Sequence, residues 1–330
     1  MEVQHQEMRS YIQDVIKKSG PISFSKFIEM AMYHPEKGYY MTKNPIGKEG
    51  DYITAPEVTS LFGKTIAIWL LHRWGQLGKP TEIIIAEFGP GTGIMMLDIL
   101  DAIHCSDDFY SAVRVYMVEI SPLLRKLQRG RLIAHSRKIC WCESINEIPE
   151  SKILILANEF FDALPIDQFI FLDEEFFENK ITADFHVTPE KTEERFTGMF
   201  SHGDIIEKNF KGREVAASMI ERITRCGGGV LVIDYGHAFG VRRSTIQALR
   251  SHKFSDIFQN IGEADITHEV DFSFLFPGYP VMSQRDFLLS YGILELAKRS
   301  RITDRVTLKK ALDRLLEPIQ MGEIFKCVIL

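Results

Sequence analysis

Two groups of residues have the types and spacing to do chemistry. In Asn158-Glu159-Phe160-Phe161-Asp162 an amide and two acids stand beside two phenylalanines, directly after the apolar run Ile153-Leu154-Ile155-Leu156-Ala157. Ligands of open α/β sheets bind outside the carboxyl ends of the strands. Asn158, Glu159 and Asp162 are therefore candidate catalytic groups. The plainer alternative is that Asn158 and Asp162 cap a helix and Glu159 is solvated. The second group is Glu87, two residues ahead of Gly89-Pro90-Gly91-Thr92-Gly93. Glycines there let the backbone turn tightly and approach a ligand that a Cβ would exclude.

The spacing of those glycines narrows the ligand. A dinucleotide fingerprint needs a small residue where this chain has Ile94, and no Gly-Lys-Ser/Thr follows as in a phosphate-binding loop. What remains is an acid followed by Gly-x-Gly-x-Gly, the arrangement of enzymes that use S-adenosylmethionine (SAM). SAM carries no phosphate, so Gly89, Gly91, Thr92 and Gly93 need only allow close approach, and Glu87 can attract its ammonium. An ordinary strand-to-helix turn is the competing reading, because short glycine motifs are weak signals.

These groups need a scaffold, and the hydrophobic pattern supplies one. Ile83-Ile84-Ile85 starts a buried strand, and residues 94–103 read as a helix. Residues 113–119 form a second strand ending in Glu119, which is placed to accept both ribose hydroxyls of an adenosine group. It lies 26 residues beyond Gly93, with a surface glutamate as the plain alternative. Residues 138–142 make a short third strand with Glu143 and Ser144 at its tip, where an adenine amine would sit. Residues 153–157, 230–236, 280–282 and 322–329 read as the fourth to seventh strands, and 308–316 as a helix. The expected division is an N-terminal helical extension over 1–80 and a SAM-dependent domain over 81–330. Insertions fall at about 166–212, an antiparallel hairpin, and at about 240–271. In the extension, residues 8–19 and a Ser23-capped segment are helical, as are 58–74. The glycine- and aromatic-rich stretch 33–56 reads either as an ordered lid loop in which Tyr39, Tyr40 and Tyr52 could cover the site or, equally, as a loop packed on the domain edge.

Composition sets outer bounds. A net charge of −6 over 330 residues argues against a general nucleic-acid binder. Five cysteines, with no second pair to complete a zinc site around Cys140-Trp141-Cys142, suit reduced thiols. No metal ligand set is expected. The start Met1-Glu2-Val3-Gln4-His5 lacks the features of a targeting segment, and no apolar run reaches the ~20 residues of a membrane span. The expectation is a cytoplasmic protein with no membrane insertion, the mitochondrial matrix entering only if a presequence has been removed.

Longer stretches carry a resemblance. Tyr33-His34-Pro35-Glu36-Lys37-Gly38-Tyr39-Tyr40, Gly50-Asp51-Tyr52-Ile53-Thr54-Ala55-Pro56-Glu57 and Asn158-Glu159-Phe160-Phe161-Asp162-Ala163-Leu164-Pro165 resemble the MidA-like family. So do Ile233-Asp234-Tyr235-Gly236-His237, Gly262-Glu263-Ala264-Asp265-Ile266-Thr267 and Met321-Gly322-Glu323-Ile324-Phe325-Lys326. The family's mitochondrial members are complex I assembly factors. The resemblance implies a seven-stranded class I SAM-dependent methyltransferase sheet, its last strand antiparallel. It also implies symmetric dimethylation of an arginine on a complex I subunit. This sequence is shorter than the family pattern between Asp271 and Gln284, at a sheet edge expected to lie far from the cofactor pocket.

An arginine acceptor poses a definite problem, since its guanidinium is protonated at every physiological pH. It must be held beside a sulfonium, so a carboxylate has to neutralise it and fix its plane. Glu159 is the candidate, with Asp162 as second acid or orienter. Asn158 would bind cofactor or hold the acceptor nitrogen, and Phe160 and Phe161 would wall the slot. The alternative function is an assembly chaperone that keeps a SAM pocket with little or no turnover. An NAD-dependent oxidoreductase fails on Ile94.

Overall fold

The computed structural model describes residues 2–43, 47, 50–51, 53–300 and 304–330. Tyr52, expected over the site, lies outside the described residues. The β-branched run at Ile83–Phe88 (β1) is buried at all six positions, as a strand covered on both faces must be. Around it stand Val113–Val118 (β2), Ile139–Cys142 (β3), Ile153–Asn158 (β4), Gly228–His237 (β5), Val281–Ser283 (β6) and Phe325–Ile329 (β7). Their order across the sheet is β6-β7-β5-β4-β1-β2-β3. β3, β2, β1, β4 and β5 are mutually parallel, whereas β7 runs antiparallel to β5 and β6. Chain order reverses between β1 and β4, which creates the crevice where such sheets bind ligands. Phe88 pairs with Ala157, so Gly89 and Asn158 emerge side by side at that crevice.

The sheet has eight strands, not the seven expected. Val270–Asp271 adds a two-residue parallel strand to the end of β5, opposite Gly236 and His237. A Cβ on Gly236 would lie 2.2 Å from the Val270 carbonyl oxygen, so only glycine permits the approach. Two residues carry no periodicity, which is why the pattern missed them.

Helices Leu61–Gln76 and Ile94–Ile103 cover one face, with Phe62, Trp69 and Ile99 fully buried. Phe210–Cys226 covers the other through Ala216 and Met219. The helix expected over 58–74 is broken: Ala55–Val58 is one turn, Thr59 is extended, and the long helix starts at Leu61. Helices Glu2–Ser19 and Phe24–Tyr33 pack on the inserted segments, sharing a core that joins Met8, Phe27 and Ile28 to Ile181, Phe185 and Ile266. Ser23 caps the second of these, its hydroxyl accepting from the Lys26 N–H at 3.2 Å.

Both insertions hold more strands than the pattern indicated. Asp167–Leu172, Glu175–Ile181, Val187–Lys191 and Ile205–Lys208 form one antiparallel sheet, to which Ile22–Ser23 adds an edge. Gln247–Arg250, Lys253–Ser255 and Asp265–Thr267 make a separate three-stranded sheet. The shortened segment after Asp271 holds the four-residue helix Phe272–Leu275. Its neighbour Phe276 packs edge-on against the buried Phe161, ring centres 5.6 Å apart, and no residue of 271–284 lines the crevice. Among the described residues no helix is long and apolar enough to cross a membrane.

Candidate functional site

A cavity of about 500 Å³ opens at the reversal point, within the range of small-molecule sites. Glu87, Gly89, Gly91 and Thr92 line it from β1, Glu119 from β2 and Glu143 from β3. Asn158, Glu159 and Phe160 line it from β4, and Tyr33, Tyr40 and Thr54 come from the N-terminal segment. Of the candidate residues, Gly93 and Asp162 do not line it, and Phe161, expected to wall the slot beside Phe160, is fully buried behind it.

The glycine turn is left-handed at each glycine, with φ of +60° at Gly89, +52° at Gly91 and +79° at Gly93. A Cβ on Gly89 would come within 2.9 Å of the Phe160 ring, so this glycine admits the wall of the cavity. Gly93 instead starts the helix Ile94–Ile103, and a Cβ there would press on Gln128 at 3.3 Å. The Thr92 hydroxyl donates to Glu57 at 2.6 Å and accepts from Arg131, tying residues 54–57 to the turn.

Glu87 is buried, and its Oε2 has no hydrogen-bond partner among the described residues. Burial, and then the charge of Glu119, push its carboxyl up to about 8. A buried acid without a donor is costly unless a cation or donor group meets it. Glu119 is held at both oxygens, by the Ser121 N–H at 2.8 Å and the Gln128 amide at 3.1 Å. Gln128 also donates to the Gly91 carbonyl at 2.8 Å and accepts from Trp141 at 2.9 Å. One fully buried amide thus joins β1, β2 and β3. Glu143 sits at the rim, its side chain mostly exposed and 3.5 Å from Arg125.

Glu159 is the unusual residue. Its φ of +50° is left-handed, a conformation that costs a side-chain-bearing residue about 1–2 kcal/mol and marks functional sites. Its N–H closes the ladder on the Ile233 carbonyl at 2.9 Å. Its Oε1 accepts from the Ala55 N–H at 2.9 Å and from the Asn158 amide at 3.2 Å. Its Oε2 accepts no hydrogen bond among the described residues. Burial lifts this carboxyl to about 7, against the Ala55 N–H, the Asn158 amide and the charge of Arg314. The Asn158 carbonyl oxygen is buried and has no partner among the described residues.

Asp162 lies behind this layer rather than in it. It is buried, its Oδ1 has no partner among the described residues, and burial with the charges of Asp234, Glu159 and Asp265 holds its carboxyl well above the usual range. Tyr39 is also interior, its hydroxyl donating to Asp51 at 2.8 Å, so it supports the lid rather than covering the cavity. Tyr40 does line the cavity and donates to Asp265 at 2.9 Å. Tyr33 stacks on it, ring centres 5.7 Å apart.

Several site residues escaped the sequence reading. Gln128 sits in a polar helix with nothing to single it out. Tyr33 looked like part of a loop, and Glu57 and Arg131 meet only in three dimensions. Asp234 could have been found, because an acid ending an apolar strand was the signal used for Glu87 and Glu119.

The donor set fits SAM. Glycine backbone, an unpaired buried carboxylate for an ammonium, an acid at the end of β2 for a ribose and an acid-rich lining for a sulfonium are all at hand. The comparisons agree. The sequence matches the family profile described as "Putative S-adenosyl-L-methionine-dependent methyltransferase" over residues 65–279. "Protein arginine methyltransferase NDUFAF7, mitochondrial" is 30% identical in Xenopus tropicalis, over 94% of this chain and 82% of the relative. The Homo sapiens protein of that name is 28% identical, over 96% of this chain and 82% of its own length. A crystal structure of a superfamily member from Burkholderia thailandensis, bound to S-adenosyl-homocysteine, shares the fold with a TM-score of 0.85. It is 22% identical and covers 99% of this chain and 92% of its own. The relatives are named mitochondrial, which overturns the expectation of a cytoplasmic protein. An odd number of cysteines is compatible with either compartment. The chain therefore belongs to this family of SAM-dependent methyltransferases.

Proposed function

We propose that the protein transfers methyl groups to an arginine of a protein substrate and dimethylates it symmetrically. The carrying observation is Glu159: a left-handed backbone, one carboxylate oxygen pinned by the Ala55 N–H, and the other without a hydrogen-bond partner among the described residues, at the cavity wall. The names of the relatives supply the arginine. The resemblance to the MidA-like family supplies the substrate, a complex I subunit homologue.

Bound SAM would supply a methyl group on a sulfonium: an acceptor nitrogen bonds to that carbon in line as the S–CH3 bond breaks and the thioether leaves. Glu87 meets the ammonium and Glu119 the ribose hydroxyls, while Gly89, Gly91, Thr92 and Gly93 hold the turn open. Glu143 borders the adenine. Glu159 neutralises the guanidinium and fixes its plane, so that one nitrogen faces the methyl group. The Asn158 oxygen accepts a second guanidinium N–H. Asp162 orients the loop from behind. The transferred proton leaves from a nitrogen beside Glu159, whose elevated proton affinity suits it to share that proton.

Glu159→Gln keeps the size and removes the charge. Arginine methylation should fall at least ~100-fold, the scale of losing a charge-stabilising group, while SAM affinity measured by calorimetry stays unchanged. Near-normal turnover would remove Glu159 from the mechanism. A chaperone would leave the mass of a purified subunit unchanged after a single-turnover incubation.

A further inference from the structure

Asp234 is fully buried within β5, one residue past the Ile233–Asn158 pair at which β4 ends, and no cation contacts it among the described residues. A buried carboxylate without a counter-ion is rare and calls for an explanation. Its partners are four backbone amides. Oδ2 accepts from the N–H groups of Phe160 at 3.1 Å, Phe161 at 2.9 Å and Asp162 at 3.3 Å, and Oδ1 accepts from Tyr235 at 3.0 Å. Three consecutive amides converging on one oxygen form an anion-binding nest. This one curls the chain immediately after Glu159.

Glu159 is thus clamped on both sides. On one side its own N–H ends the ladder on the Ile233 carbonyl, and on the other the next three N–H groups turn in toward Asp234. A chain that must leave the strand and present three successive amides to one point takes a left-handed residue at the corner, and that residue is Glu159. An apolar residue at 234 would fill the space but leave three buried N–H groups unpaired. Asparagine offers one acceptor oxygen and turns an NH2 toward donors.

We infer that Asp234 is a positioning residue, which sets the left-handed turn at Glu159 and so aims its carboxylate into the cavity. This rests on the reading of Glu159 as the group that holds the acceptor. Asp234 touches neither cofactor nor acceptor and acts only through the loop.

The test is a double-mutant cycle on the full chain. Its readout is the rate of labelled methyl transfer from SAM to arginine in a lysate depleted of this enzyme. Asp234→Asn should lower the rate about 100-fold, the scale of a 1 Å misplacement at a reacting centre, with SAM affinity by calorimetry unchanged. Combined with Glu159→Gln it should cost nothing more than Glu159→Gln alone, within about twofold. A purely structural role would weaken SAM binding and multiply the two losses, and either result would overturn the inference. So would near-normal transfer by Asp234→Asn. If Glu159→Gln alone is fully active, it is the reading of Glu159 that fails. Should Asp234→Asn not fold, hydrogen exchange in the unmodified protein decides. The Phe160, Phe161 and Asp162 amides must be as protected as those of β4, and fast exchange overturns the nest.

Discussion

Raising the pH from about 6 to about 8 should raise the methyl-transfer rate up to tenfold, because the Glu159 carboxyl sits in a dry wall of the cavity. An ordinary glutamate, titrating at 4.5, is ionised throughout this range and would give a flat profile. Held at about 7, Glu159 is about one-tenth ionised at pH 6 and about nine-tenths at pH 8. Only the ionised form pairs with a guanidinium. The sign is therefore a rate that climbs with pH and levels off above the midpoint. The assay is kcat/KM for the protein substrate, taken with SAM saturating so that Glu87 is already committed to its ligand. The nearby sulfonium favours the carboxylate and lowers the midpoint, so tenfold is the upper limit. In Glu159→Gln the climb should vanish along with most of the rate. A flat profile in the unmodified enzyme would refute the reasoning. So would an equal slope in the variant.

Three further outcomes follow from the packing. Gly89→Ala should weaken SAM binding at least about tenfold by calorimetry, since its Cβ would meet the Phe160 ring at 2.9 Å and φ is +60°; unchanged affinity would mean the turn is not held by that contact. Gln128→Leu leaves the Trp141 N–H and one Glu119 oxygen without their partner. It should cost about 2–4 kcal/mol in urea denaturation, and a loss under about 0.5 kcal/mol would deny the amide its joining role. Finally, burial raises Glu87 to about 8 and Glu159 and Asp265 to about 7, while unfolded acids release their protons near their usual values. The folded state holds more protons between those limits, so its stability falls as pH rises from about 4.5 to about 8. The ligand-free melting temperature should drop on the order of 5 °C between pH 6 and 8, and a rise would contradict these buried acids.

The strands that hold the site were legible because their apolar runs are long and their ends chemically marked. Glu87, Glu119 and Glu159 each follow or close such a run, and all three reach the cavity. Asp162 was misjudged by the same logic: it lies in the right motif, but the turn at Glu159 sends it behind the wall. Spacing along a chain cannot show a left-handed corner. The added strands at Ile22–Ser23 and Val270–Asp271 were invisible for a different reason. Two residues have no period, and what fixes these strands is a distant partner in one case and an absent Cβ at Gly236 in the other. Gln128 and the Glu57–Thr92–Arg131 contact belong to the same class, since each joins elements far apart in sequence.

The most direct test is to incubate a lysate with methyl-labelled SAM, with and without the enzyme, and to map the labelled residue by mass spectrometry. An arginine carrying one methyl on each terminal nitrogen, labelled only when the enzyme is present and lost with Glu159→Gln, is the expected result. Label on another residue type or on RNA, or none at all, would contradict the account.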